Sequence, residues 1–217
     1  MNILINGAAG SGKSTISRKI IKVYDIPHIS TGNMFRDAMR QETELGLQAK
    51  NYIDRGMLVP DDITIKMIQA RLQEPDCQKG YLLDGFPRTL VQAVAFEDIA
   101  KEIDRPVELV LNLSVELDAL IHRVVDRRVC ENCKAIYNLE YMPPKVENTC
   151  DLCGSPLNHR SDDTLEQLVV RLKEYVFLTK PVLDYYMYKG LVRYVDATPS
   201  VDTVWNNVKE VLESIQW

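Results

Sequence analysis

The chain has 217 residues, of which 46% are hydrophobic and 26% charged, and its formal net charge is −5. That is enough for one α/β core with small inserted lobes and too little for a long multidomain protein. The acidic balance excludes the global basic field used by non-specific nucleic-acid binders, and no apolar run approaches the roughly 18 residues of a membrane span. Basic residues interrupt the chain from Lys13 onward, so no secretory signal is read and a cytoplasmic location is expected. Five cysteines then point to a metal site or free thiols more than to disulfides.

The apolar run at 3–6 reads as a buried strand and leads directly into Gly-Ala-Ala-Gly-Ser-Gly-Lys-Ser-Thr at 7–15, ahead of a helical pattern. This is the phosphate-binding loop in its strand-loop-helix context. Gly7, Gly10 and Gly12 free the backbone to wrap an anion, and the new helix points its positive dipole end at the same place. Gly10, Ser11, Gly12, Lys13, Ser14 and Thr15 are therefore expected to hold a nucleoside triphosphate. Lys13 would reach the β and γ phosphates, and a hydroxyl of Ser14 or Thr15 would lie near Mg²⁺ brought by the nucleotide.

Further short apolar runs at 28–30, 81–84, 107–113 and 192–195 alternate with helix-length segments, which predicts a five-stranded parallel sheet flanked by helices. Ligands of such sheets sit at the carboxyl ends of the strands, bringing the phosphate loop beside Asp84-Gly85-Phe86-Pro87-Arg88. Residues 31–59 carry two short helical patterns without a strand and read as a helical insertion. Residues 127–161 are rich in Cys, Asn and Pro and form a second insertion.

Within that second insertion, Cys130, Cys133, Cys150 and Cys153 fit the C-x₂-C-x₁₆-C-x₂-C arrangement of a tetrahedral zinc site. A closed Cys₄ site leaves no open coordination position, so the expected metal is structural, with disulfides or iron as the competing readings. A segment this small has no core of its own, and the metal would supply its folding energy. Lys134 and Lys145 face Glu131, Glu140, Glu147 and Asp151 in the same stretch, so the insert lacks the basic stripe of a nucleic-acid module. Cys77 reads as an ordinary thiol at a helix end.

Taken together, residues 7–15, Ser30 to Arg36, Leu83 to Thr89 with Gln92, Arg127-Arg128 before the Cys₄ insert, and Arg160-Ser161-Asp162-Asp163 with Arg171 closely resemble adenylate kinase of the bacterial long-lid, zinc-containing type. The resemblance covers essentially the whole chain. It implies a P-loop nucleoside monophosphate kinase fold, with a core at 1–29, 60–126 and 162–217, an AMP-binding lobe at 30–59 and a zinc lid at 127–161. It further implies Mg-dependent transfer of a phosphoryl group from ATP to AMP to give two ADP, in a monomer that binds neither nucleic acid nor membrane.

By the same resemblance, Arg123, Arg127, Ile136 and Tyr137 belong to the ATP side. Thr31, Arg36, Met57, Leu58, Val59, Gly85, Phe86, Pro87, Arg88 and Gln92 belong to the AMP side, with Arg160 and Arg171 on the phosphates. Lys13, Asp84, Arg88, Arg123, Arg160 and Arg171 would carry catalysis, Asp84 by ordering water on Mg²⁺. The chemistry agrees, since phosphoryl transfer asks for positioning and for cations converging on the transferred group. On a continuing helix Arg123 and Arg127 would share one face.

Three positions depart from the family pattern. Ser14 and Asp126 stand where glycines are usual, and Asn33 where an aspartate is. Asn33 and Asp126 are expected to lower turnover, Asp126 by bringing a carboxylate beside the ATP-side arginines. Kinases of UMP, CMP or GMP share the loop and arginine scheme, and Thr31 and Gln92 favour AMP. A nucleotide-binding regulatory protein without turnover is the reading from a different class.

Overall fold

In the computed structural model, which describes residues 1–217, the strand before the phosphate loop is the centre of a parallel sheet. β1 (Asn2–Asn6) pairs with β3 (Tyr81–Asp84) on one side and β4 (Leu109–Ser114) on the other. β2 (His28–Ser30) and β8 (Val192–Asp196) complete the order β2-β3-β1-β4-β8. The five-stranded parallel sheet read from the sequence is present, with the fourth strand shifted by one or two residues.

A strand buried on both faces favours a run of apolar residues, and β1, β3 and β4 carry one at 3–5, 81–83 and 109–111. Leu4, Leu83 and Val110 point to one face, packing with Ile68 and Leu72 of α4 (Asp61–Leu72), Phe96 of α5 (Leu90–Glu102) and Tyr186 of α8 (Lys180–Tyr188). Ile3, Ile5, Leu82 and Leu111 point to the other, against Ile16 and Ile20 of α1 (Lys13–Tyr24) and Val208 of α9 (Val201–Glu213). The register pairs Ile5 with Asp84 and Asn6 with Asn112, so the chain leaves β1 and β3 at the same level. That alignment sets the phosphate loop beside the turn after β3.

The first insertion holds two helices, α2 (Thr31–Arg40) and α3 (Glu44–Ile53), around a small cluster of Phe35, Ala49 and Val59. The Thr43 side chain caps α3 by accepting from the Gly46 N–H at 3.1 Å. The second insertion follows α6 (Leu117–Val125) and is an antiparallel sheet of β5 (Arg127–Cys130), β6 (Ile136–Asn138) and β7 (Leu157–Asn158). Its buried cluster has five residues, two of them cysteines. From it the chain enters α7 (Leu165–Glu174), then a π-helical turn at Tyr175–Thr179 that runs into α8.

Two sequence expectations change here. α6 ends at Val125 and Arg127 opens β5, so Arg123 and Arg127 do not share a helix face. Cys77 lies in a 3₁₀ turn (Pro75–Lys79) and is fully buried, and burial pushes its thiol up to about 11. No helix is long and apolar enough to cross a membrane.

Leu83 lies in the middle of β3 with no exposed surface. Its replacement by alanine is expected to cost about 2–5 kcal/mol, because neighbouring strands on both sides prevent the cavity from collapsing. A lowered urea midpoint at unchanged slope is the measurement.

Candidate active site

The phosphate loop is built by its left-handed glycines: Gly10 has φ +86° and Gly12, the N-cap of α1, has φ +88°. Lys13 folds back over the loop, its Nζ donating to the carbonyls of Gly7 at 2.7 Å and Ala8 at 2.9 Å. The Ser11 hydroxyl is buried with no protein partner.

Asp84, at the end of β3, joins this loop to the sheet. Its Oδ2 accepts from the Ser14 hydroxyl at 3.0 Å and lies 3.3 Å from His28 Nε2. Burial alone would raise its carboxyl, but the His28 hydrogen bond, the Lys13 charge and the Ser14 hydroxyl more than offset that and hold it at about 2. Lys13 moves the opposite way. Burial, with Arg88, Arg171 and Arg127 nearby, pulls its ammonium down to about 7 despite Asp84.

The turn after β3 is shaped by what crosses it. Gly85 has φ +83°, and a side chain there would meet Arg88 Nη2 at 2.8 Å and Thr31 Oγ1 at 2.9 Å. Thr31 donates to the Gly85 carbonyl at 2.9 Å, as does Arg88 Nε at 2.9 Å. Gln92 is buried, accepts the Arg88 N–H at 2.7 Å and donates to Asp61 Oδ1 at 2.8 Å. Asp61 also accepts from Thr89 at 3.0 Å, so the start of α4 fixes the start of α5.

Arginines arrive from every other side. Arg127 Nε donates to Asp163 Oδ2 at 2.6 Å, and its Nη2 contacts the other carboxylate oxygen, a bidentate pair. Arg171 Nη1 lies 3.1 Å from Asp162 and 3.2 Å from Asp163. Burial lowers Arg36, Arg88 and Arg160 from their ordinary range, with neighbouring guanidiniums adding to it, whereas Asp163 outweighs burial and raises Arg127. Arg123 points its guanidinium at the carbonyls of Ala197 (2.8 Å) and Thr198 (2.9 Å).

Two cavities large enough to describe separately share residues at this centre. The larger, about 710 Å³, takes in residues 9–16, Asp84, Arg123, Arg127, Arg160, and Ile136 and Tyr137 of β6. The smaller, about 90 Å³, is lined by Thr31, Met57, Leu58, Val59, Gly85 and Gln92 among others. Arg36, Arg88 and Arg171 line both. Phe86 and Pro87 do not line the smaller cavity but a third of about 50 Å³, which they share with Lys13, Gly85, Arg88 and Arg171; the Phe86 ring also packs 5.4 Å from that of Phe96.

The comparisons fit this geometry. Residues 5–191 match the family model described as adenylate kinase. The chain belongs to the adenylate kinase family. It is 46% identical over 212 residues to an adenylate kinase of Bacillus pumilus, covering 98% of each chain. It is 47% identical over 212 residues to that of Caldanaerobacter subterraneus, covering 98% of this chain and 96% of the relative. An adenylate kinase of Archaeoglobus fulgidus is 44% identical over 216 residues, covering both chains fully.

Several site residues of this kinase were missed in the sequence. Asp162 and Asp163 are buried partners of the arginines, and Asp61 tethers Gln92. His28 Nε2 lies within hydrogen-bond distance of Asp84 Oδ2. The loop 197–200 lines the large cavity; it follows β8 at the carboxyl edge of the sheet, which was the available signal. The Asp126 carboxylate lies 3.9 Å from His122 Nδ1. Asn33 accepts from Arg36 Nη2 at 3.0 Å.

The four cysteine sulfurs lie within 4.8 Å of one another, with Cys130 to Cys153 at 3.4 Å and Cys133 to Cys150 at 3.5 Å. These separations exceed a disulfide bond of about 2.05 Å and approach the edge, about 3.8 Å, of a tetrahedron with metal–sulfur bonds of about 2.3 Å. The residues fit a tetrahedral metal ion.

Lys13 gives a testable linkage. A bound triphosphate favours the ammonium and raises its pKa above about 7, so binding of a non-hydrolysable ATP analogue at pH 8 takes up protons. Affinity then falls as pH rises above about 7. Calorimetry in two buffers of different ionisation enthalpy reads the uptake, and Lys13→Arg, charged throughout, is expected to lose that part of it.

Proposed function

We propose that this chain catalyses reversible transfer of the terminal phosphoryl group of ATP to AMP, giving two ADP, with ATP in the larger cavity and AMP in the smaller. The observation that carries the reading is the junction: Arg36, Arg88 and Arg171 face both spaces, where a group passing between two nucleotides must travel. An oxygen of the AMP phosphate attacks the γ-phosphorus as the bond to the ADP oxygen breaks. That oxygen is already ionised, so no general base is required.

Each side chain then has a positional task. Lys13 and the loop N–H groups hold the β and γ phosphates, while Arg88, Arg160 and Arg171 face charge spreading over the transferred group. Arg123 and Arg127 would hold the triphosphate from the far side, and Ile136 and Tyr137 cover the adenine. Mg²⁺, when bound with ATP, supplies charge neutralisation between the phosphates. Ser14 and Asp84 are the residues that would orient its ligands, one by hydroxyl and one by a carboxylate kept ionised.

The larger cavity has the volume of a nucleotide site, whereas about 90 Å³ falls below the roughly 300 Å³ at which ligand pockets begin. Admitting AMP therefore requires the lobe at 30–59 to open away from the core at 1–29, 60–126 and 162–217. The lid at 127–161 would open likewise, and closure of both excludes water that would otherwise accept the phosphoryl group. Zinc held by Cys130, Cys133, Cys150 and Cys153 would keep the lid folded, which agrees with its five-residue buried cluster. We read the enzyme as a cytoplasmic monomer with no nucleic-acid partner.

A coupled assay of ADP formation with Mg·ATP and, in parallel, AMP, CMP, UMP and GMP tests the reading. Turnover with AMP far above the others is expected; ATP binding without turnover on any acceptor would refute it. Arg88→Lys, which loses the fork facing both cavities, is expected to lower kcat by at least about tenfold. Metal analysis is expected to give one zinc per chain, and Cys150→Ser with Cys153→Ser to remove it and lower Tm.

A further inference from the structure

The AMP-side lobe and the Cys₄ knuckle touch each other directly. Lys134 Nζ lies 2.7 Å from Asp37 Oδ1, although 97 residues separate them. Asp37 is on α2, and Lys134 follows Cys133 in the knuckle. Beside this pair, Arg40 holds Asp37 from the same helix and donates to the Glu131 carbonyl at 3.3 Å. Both acid and lysine are about a third exposed, so the contact sits at a rim and not in a core.

The backbone of Lys134 is a second, independent observation. Its φ is +61°, the left-handed region where glycine or asparagine is the unstrained choice. The conformation itself belongs to the knuckle turn, since Gly154, which follows Cys153 as Lys134 follows Cys133, has φ +71°; what sets Lys134 apart is a side chain where glycine would serve, and that side chain reaches the opposite lobe. Strained positions of this kind persist where surroundings or function demand them.

The location gives the contact a role. Asp37 is the residue after Arg36, whose guanidinium lines both cavities, and Lys134 lies two residues before Ile136 in the strand that covers the larger one. A bond between them ties the position of the AMP lobe to that of the ATP cover. We propose that Asp37 and Lys134 form a latch between the AMP lobe and the metal knuckle, so that closure over one nucleotide favours closure over the other. They are positioning residues, touching neither substrate, and the proposal rests on the phosphoryl-transfer reading above.

The readout is the factor by which saturating AMP tightens binding of a non-hydrolysable ATP analogue, which by linkage equals the reciprocal effect. Asp37→Asn, Lys134→Gly and the double variant complete a cycle, and glycine at 134 relieves the backbone, so folding is preserved. In the wild-type protein the factor is expected to exceed one and to shrink in 0.5 M salt. Each single variant is expected to reduce it about two- to fivefold, the range for an exposed ion pair, with the double variant no lower than the singles. Zinc content, and the affinity for the analogue alone, are expected to stay unchanged. A factor of one in the wild type, no change in either single variant, or additive losses would overturn the latch. Failure of the underlying reading is distinct, since the wild-type enzyme would then form no ADP from AMP.

Discussion

Like charge gathered out of water is the constraint around which this molecule is arranged. Arg36, Arg88 and Arg160 are each lowered by burial and by neighbouring guanidiniums, a configuration that cannot persist without carboxylates among them. Asp162 and Asp163 supply these, on the segment where the chain leaves the β5–β7 insertion and returns to the core. Removing one member of a buried pair costs about 3–5 kcal/mol, so the arginine cluster and the return segment stand or fall together. A phosphate group arriving at the centre brings the anion that the cluster lacks.

The parallel sheet makes such a centre possible at low cost in order. Level registers of β1 and β3 put the phosphate loop and Asp84 side by side without any long-range adjustment. Asp84 then acts as a hub, joined to Ser14 on α1 and to His28 on β2, so that three elements fix one carboxylate. Gly85 lets Thr31 and Arg88 close over the same turn. Strand ends carry the anchoring groups, while arginines from α2, α7 and the insertion complete the centre.

The legible part of this design was whatever depends on local pattern. Continuous apolar runs gave the five strands, glycine spacing gave the phosphate loop, and paired C-x₂-C knuckles gave the sulfur cluster. Partnerships between distant residues were not legible. Nothing near Asp162 or Asp163 in the chain says that they face Arg171 and Arg127, and Asp126, beside Arg127 in sequence, lies 3.9 Å from His122 Nδ1. The end of α6 at Val125 separates Arg123 from Arg127: once helix gives way to strand, their four-residue spacing no longer predicts a shared face.

The cysteine knuckle and the cavity wall at Tyr137 are one mechanical unit, so a metal held there would bear on the cavity without touching it. Tyr137 lines the large cavity, yet its hydroxyl accepts the Asp151 N–H at 2.8 Å and lies 3.5 Å from Cys150 Sγ. The ring is thus held at its far end by the second C-x₂-C turn. A five-residue cluster is too small to fix that turn by apolar burial alone, whereas four sulfurs on one ion fix both turns at once. Stiffness in the knuckle therefore passes through Tyr137 to the wall of the large cavity. Through Lys134 the same stiffness reaches α2, so an insertion with almost no core of its own can act as a solid body against two surfaces.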